Sequence, residues 1–136
     1  MVLVSEVFKA WNEGFEKKDS SQLAEFFTDD FRFVSTIRDI GKQEALDWTA
    51  AGGNQTAMDN LEVLYENDEV AVTYHSATST LGDGVVMALY TKKDGKISQC
   101  RIVRQAVSAV SLFDKEEPWL NSAEASGSGR RQGGKE

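Results

Sequence analysis

The sequence predicts an α+β domain in which a curved antiparallel β-sheet wraps around N-terminal helices, a cone-like, cystatin-like α+β barrel. Three observations predict it. Apolar residues recur at helical spacing over the first fifty residues, the period changes to two from Met58 onward, and the later segments are separated by short runs of Asn, Asp and Gly. Helices followed by a meander of strands place the helices on one face of one sheet.

Each element has its own local justification. Val7, Phe8, Trp11 and Phe15 form the stripe of an amphipathic first helix, with Ser5 as its expected N-cap. "EKKDSSQ" interrupts the stripe. A short second helix follows with Leu23, Phe26 and Phe27 on one face, capped by Asp19, Ser20 or Ser21 and ended by "TDD". "FRFVST" alternates Phe31, Phe33 and Ser35 against Arg32, Val34 and Thr36 and reads as the first strand. "GKQEALDWTAAGG" reads as a third helix ending at Gly52 and Gly53. Four strands are then expected in "MDNLEVLYE", "EVAVTYHSATST", "GVVMALYTKK" and "KISQCRIVRQAVSAVSLF", with "NDE", "LGD" and "DGK" as the hairpin turns.

The 136 residues, 40% of them hydrophobic, suffice for one core. A single domain is expected over residues 1–121. Residues 122–136, rich in Gly and Ser, are expected to form a disordered tail. That tail holds three basic and two acidic residues, so of the net charge of −7 the rest of the chain carries −8. An acidic body lacks the basic footprint that nucleic acid or an anionic membrane requires. The lone Cys100 cannot form an internal disulfide, and no apolar run has signal-peptide or membrane-spanning character. A soluble, unprocessed cytoplasmic protein is expected, with neither a metal site nor a cofactor motif. The glycines of "STLGDGVV" lie between strands, where no helix N-terminus follows to hold phosphate, and "YENDE" lacks the oxygen spacing of a calcium loop.

The order of "FKAWNEGFEKKDSSQLAEFFTDDFRFVS", "GKQEALDW", "LYENDEVAVTY" and "MALYTKKDGKISQCRIVR" resembles the SnoaL-like branch of the nuclear transport factor 2-like superfamily, over roughly residues 5 to 107. The resemblance implies a sheet curled around the first helix, a mostly apolar pocket open at one end, and a homodimer formed through the outer face of the sheet. It also implies a choice among cyclases, isomerases, dehydratases and binding proteins, because the fold hosts all of them. Ketosteroid isomerases need a helix Tyr, an Asp base ending the first strand and a protonated Asp on a late strand. Matched through "KKD" and "DGKI", those positions fall on Trp11, Ser35 and Met87, none of which can perform that chemistry.

The same registration turns Ala71, Thr73, His75 and Ala77 inward on one strand, Val85, Met87 and Leu89 on the next, and Cys100, Ile102 and Arg104 on the last. Val70, Val72 and Tyr74 would then face outward; a one-residue slip exchanges such sets. His75, the one histidine, is the leading candidate for proton transfer, although core packing or a hydrogen bond to ligand would equally occupy it. Asp39 could reach the mouth as a base, or serve as a turn residue. The planar fork of Arg104 suits a carboxylate, on a ligand or on the surface. Trp11, Phe15, Phe33 and Trp48 are expected to form an aromatic wall, with Ser35, Thr73, Met87 and Leu89 completing the ligand contacts. Cys100 is expected to be a small buried hydrophobe. The expected function is binding of a small apolar molecule by a SnoaL-like domain; the alternatives are an enzyme using His75 for proton transfer and a non-catalytic dimeric interaction module.

Overall fold

The structure, a computed structural model, describes residues 2–107. The expected boundary at residue 121, the tail and the end of the last expected strand lie outside them. Three helices and six strands occur in the order α1 (Val4–Lys17), α2 (Ser21–Ala24), β1 (Phe27–Val34), β2 (Asp39–Gly41), α3 (Lys42–Ala50), β3 (Ala57–Glu66), β4 (Val70–Thr78), β5 (Gly84–Lys93) and β6 (Lys96–Ala106). They build one curled, unclosed sheet of strand order β2-β1-β6-β5-β4-β3. Every neighbouring pair is antiparallel except β1 and β6, which run parallel and bring the N-terminal strand beside the last one.

Three local expectations change. The first helix starts at Val4, with Leu3 rather than Ser5 at the cap position. Its first amide, which has no partner within the helix, is satisfied from a distance, because Val4 N–H donates to Glu66 Oε2 at 2.7 Å. β1 begins at Phe27 rather than Phe31, so "TDD" lies inside a strand; an irregularity in its pairing with β6 falls between Phe27 and Arg32. Phe27 and Phe31 are both buried, with rings stacked at 3.8 Å. β2 is additional, a three-residue strand too short to show a period. Asp19 is the one of the three proposed cap residues whose side chain acts, accepting from Ser21 N–H at 2.9 Å.

The core is filled from α1. Val4, Val7, Ala10, Trp11, Gly14 and Phe15 are buried along one stripe and meet Leu23, Phe27, Phe31, Phe33, Ala45, Leu46 and the inner residues of the sheet. Each fully buried large side chain contributes about 1.5–3 kcal/mol. Two glycines permit close approaches. A Cβ on Gly14 would lie 2.9 Å from Thr49 Cγ2, so this position lets α3 pack closely on α1. Gly53, with φ of +51°, lies on the ring of Phe15, where a Cβ would come within 2.2 Å. On the edge strand β3 the pairing with β4 shifts register twice, between Asp59 and Glu62 and between Val63 and Tyr65, and Asn60 there adopts a positive φ of 58°.

A buried ion pair ties helix to sheet. Lys92 Nζ on β5 donates to Glu66 Oε2 at 2.8 Å and to the Asn67 carbonyl at 2.8 Å, and the same carboxylate oxygen holds the start of α1. Burial alone would raise the Glu66 carboxyl. The hydrogen bond from Lys92, that from Val4 N–H and the Lys92 charge outweigh it and hold the group below its ordinary 4.5. Stability from this carboxylate is therefore complete above pH 4.5 and is lost as pH falls below it. Glu66→Gln leaves the buried ammonium without its counter-charge and should lower unfolding free energy by about 3 kcal/mol, with less acid sensitivity below pH 4.5. Urea denaturation of both proteins at pH 7 and pH 4 measures this; equal stability at pH 7 contradicts it.

Candidate functional site

A cavity of about 180 Å³ lies between α1 and the inner face of the sheet. At roughly 10–15 Å³ per water-sized site, it has room for a molecule of about twelve to eighteen non-hydrogen atoms. Strand register organises its wall into rows. Ala71, Tyr90, Cys100 and Phe33 are successive cross-strand partners in the deepest row; Thr73, Ala88 and Ile102 form the next, and His75, Val86 and Arg104 the one nearest the loops. Small residues on the sheet, among them Ala77, Val86 and Ala88, face large rings from the other side.

The aromatic residues singled out in the sequence meet there. Trp11, Phe15, Phe33 and Trp48 all line the cavity and touch in series, with ring centroids 5.5 Å apart for Trp11 and Phe33, 6.1 Å for Phe33 and Trp48 and 5.2 Å for Phe15 and Trp48. Trp11 has its polar atom committed elsewhere: Nε1–H donates to Thr49 Oγ1 at 3.0 Å, and that hydroxyl donates to the Ala45 carbonyl at 2.9 Å. It offers a ligand its ring and no proton.

His75 faces the cavity, with Phe8 edge-on at 5.1 Å. Its Nδ1 lies 3.0 Å from the Ser76 carbonyl, which can only accept, so Nδ1 carries the proton and Nε2 keeps a free lone pair. Burial pushes the ring below its ordinary 6.5, against the opposing effect of the Ser76 bond. No carboxylate orients it among the described residues. Beyond it stand two polar groups that sequence reasoning left out or undervalued. Tyr90 lines the deep row, its hydroxyl pushed well above 10.0 by burial, with neighbouring Cys100 adding to the rise and Thr73 opposing it. Thr73 Oγ1, fully buried behind the lining, has no partner of hydrogen-bonding geometry among the described residues. Burial raises the Cys100 thiol to about 12, although the bond with Tyr90 lowers it. It is a protonated, inert thiol at neutral pH.

Four expected contacts lie elsewhere, Thr73 among them, since it sits behind the lining. Met87 and Leu89 are 47% and 41% exposed on the outer face of β5, and Val85 turns outward with them; Val86, Ala88 and Tyr90 face in. Both sets on this strand are apolar, so alternation alone does not set its phase. The isomerase position matched to Met87 thus borders Val86 and Ala88, which carry no acidic proton either. Asp39 is exposed outside the cavity and accepts from Arg32 Nη2 at 2.7 Å and Nε at 3.0 Å, so it is a surface ion pair and not a base at the mouth. Among the described residues no cluster of metal-ligating side chains forms.

The mouth is framed by two loops of similar composition. Residues 35–38 contribute Ser35, Thr36, Ile37 and Arg38, and residues 79–83 contribute Ser79 and Leu81. Ile37 and Leu81 are 81% and 68% exposed at the rim. Arg38, which the sequence did not single out, stacks over Trp48 at 4.9 Å; Arg104 Nη2 donates to the Gly82 carbonyl at 2.7 Å.

A model of the SnoaL-like domain matches residues 8–100 of this chain, most of its length. The chain belongs to the SnoaL-like family. No curated protein matches it. Among solved structures, this SnoaL-like domain resembles an NTF2-like protein of unknown function from Cytophaga hutchinsonii (TM-score 0.62, 9% identity, covering 83% of this chain and 96% of that one). It also resembles an NTF2-like protein from Anabaena variabilis (0.65, 14%, covering 76% and 87%). A proposed SnoaL-like polyketide cyclase from Jannaschia sp. CCS1 is similar as well (0.60, 17%, covering 85% and 92%). At these identities the likeness establishes the fold. No helix among the described residues is long and apolar enough to cross a membrane.

Because its folded-state value lies below 6.5, His75 binds its proton later than in the unfolded chain. As pH falls through 6.5 the unfolded state takes up protons first, and this contribution to stability declines. Nuclear magnetic resonance titration of the ring should give a midpoint below 6.5 with the Nδ1–H tautomer on the basic side; a midpoint above 6.5 overturns the desolvated placement.

Proposed function

We propose that this SnoaL-like domain binds a small, largely apolar molecule in the cavity over α1, against Trp11, Phe15, Phe33 and Trp48. The observation that carries this reading is the cavity itself: an aromatic wall faces small sheet residues, leaving space where an ordinary core would be filled. His75 Nε2, Ser35 and the Tyr90 hydroxyl are the polar points that would orient the guest. A second reading, an enzyme of the cyclase, isomerase or dehydratase type, has one favouring observation: the Ser76 carbonyl fixes the tautomer that leaves His75 Nε2 as an available base. Against it stands the absence, among the described lining residues, of a carboxylate to work as its partner.

The binding reading is tested with 2-naphthol, which matches the cavity in size. It should shift the His75 ring resonances of the unmodified protein, and Ala88→Phe, which fills the cavity from the deep side, should abolish the shift while circular dichroism stays unchanged. No shift with the unmodified protein, or an undiminished shift in the variant, refutes a ligand pocket here.

We also propose a homodimer through the outer sheet face. Cross-strand partners there form two apolar rows, Tyr65–Val72–Leu89 and Tyr74–Met87–Val103, with Val85 beside them. Four of these, Tyr65, Leu89, Met87 and Val103, are exposed. A continuous apolar sheet face of this kind is covered in a stable protein, and a second copy offers the self-complementary surface. A cytoplasmic location fits the single buried Cys100 thiol. Light scattering should give a dimer mass, and Met87→Asp with Val103→Asp should give a monomer; a monomeric unmodified protein refutes the pairing.

A further inference from the structure

The chain has 22 acidic residues against 15 Lys and Arg, yet among the described residues no Asp or Glu lines the cavity. Its charged lining residues are Arg38 and Arg104, one from each side of the mouth. Neither has a carboxylate within 4.0 Å among the described residues, although Arg32, Lys42, Lys92 and Lys93 all do. Both guanidinium groups are held by contacts that leave donors free. Arg38 Cζ lies over the Trp48 ring, 4.9 Å from its centroid, a cation–π contact that uses no conventional N–H hydrogen bond. Arg104 gives one N–H to the Gly82 carbonyl, out of five available.

The hydroxyls of the rim point to the same polarity. Ser35 Oγ accepts from Ile37 N–H at 3.3 Å, and Ser79 Oγ accepts from Leu81 N–H at 3.1 Å. In each case one lone pair of the oxygen is taken by the backbone, and the hydroxyl proton can be donated. The mouth therefore presents donors and positive charge beneath the apolar side chains of Ile37 and Leu81. A guest that satisfies it must bring acceptors and negative charge. Within a body carrying excess negative charge, two arginines with no carboxylate partner among the described residues stand beside an aromatic wall.

We propose that the ligand of this pocket is a hydrophobic carboxylic acid, its apolar body against Trp11, Phe15, Phe33 and Trp48 and its carboxylate at the mouth on Arg38 and Arg104. The proposal rests on the ligand-pocket reading and narrows it to a chemical class. A planar carboxylate matches the guanidinium fork, and hydrogen bonds between them are charge-assisted. His75 and Arg104 stand on the same row with Val86 between them, two strand spacings or about 10 Å apart along the sheet. An acid of the size that fits can thus engage Arg104 with one end and place a polar atom near His75 Nε2 with the other.

Calorimetric titration with 2-naphthoate and its neutral isostere 2-naphthamide tests the proposal. The acid should bind at least about tenfold more tightly than the amide at low salt, and the preference should shrink at 0.5 M sodium chloride. Arg38→Gln combined with Arg104→Gln should bring the ratio of the two affinities to about one, with circular dichroism unchanged. Equal binding of acid and amide, or a preference that survives in the double variant, overturns the carboxylic acid and leaves the pocket standing. Failure of both compounds to bind the unmodified protein overturns the pocket and this inference with it.

Discussion

The indole of Trp11 is the joint on which the domain is assembled. Its N–H is held by Thr49 of α3, and its ring packs against Phe27, Phe31 and Phe33 of β1. Gly14, one turn further along α1, lets Thr49 come close enough for that bond. One side chain thereby fixes the spacing of α1, α3 and β1, and the sheet curls over what they enclose. From the other end the Glu66 carboxylate holds both the first amide of α1 and the ammonium of Lys92. A helix pinned at its start and its middle cannot slide into the space between itself and β4 to β6. The cavity persists because the groups that could fill it are anchored elsewhere.

That anchoring also limits the chemistry. The indole N–H is unavailable to a guest, the Cys100 thiol is protonated, and the Asp39 carboxylate is paired with Arg32 outside the wall. What remains inside is a neutral imidazole with a lone pair, a phenol that burial keeps protonated and a rim of donors. Among the described lining residues no carboxylate stands beside His75 to act as its partner.

Much of this was legible in the sequence, and the parts that were not share a cause. The helical stripe of α1, the third helix and the limits of β5 follow from periodicity and turn residues, because burial on one side leaves a pattern. The inward face of β4, with Thr73 and His75, followed from the registration on the SnoaL-like pattern, which leaves Val70, Val72 and Tyr74 on the outer face. On β5 both faces are apolar, so nothing local distinguishes Met87 and Leu89 from Val86 and Ala88, and the phase comes only from pairing with β4. Tyr90 was hidden by the same ambiguity. Arg38 sits in an irregular loop whose approach to Trp48 depends on β2 folding back on β1, a tertiary event with no signature in three residues. Asp39 looked free because its partner Arg32 lies across that same hairpin.

The two register shifts in β3 reach beyond the pocket. Among the described residues β3 is an edge strand of the sheet, and a long, regular edge with exposed Val63, Leu64 and Tyr65 would be a template for strand addition from another chain. Each bulge interrupts the evenly spaced amides and carbonyls that an incoming strand must match, and the positive φ at Asn60 bends the backbone out of line. The irregular edge is thus a safeguard against fibrous aggregation.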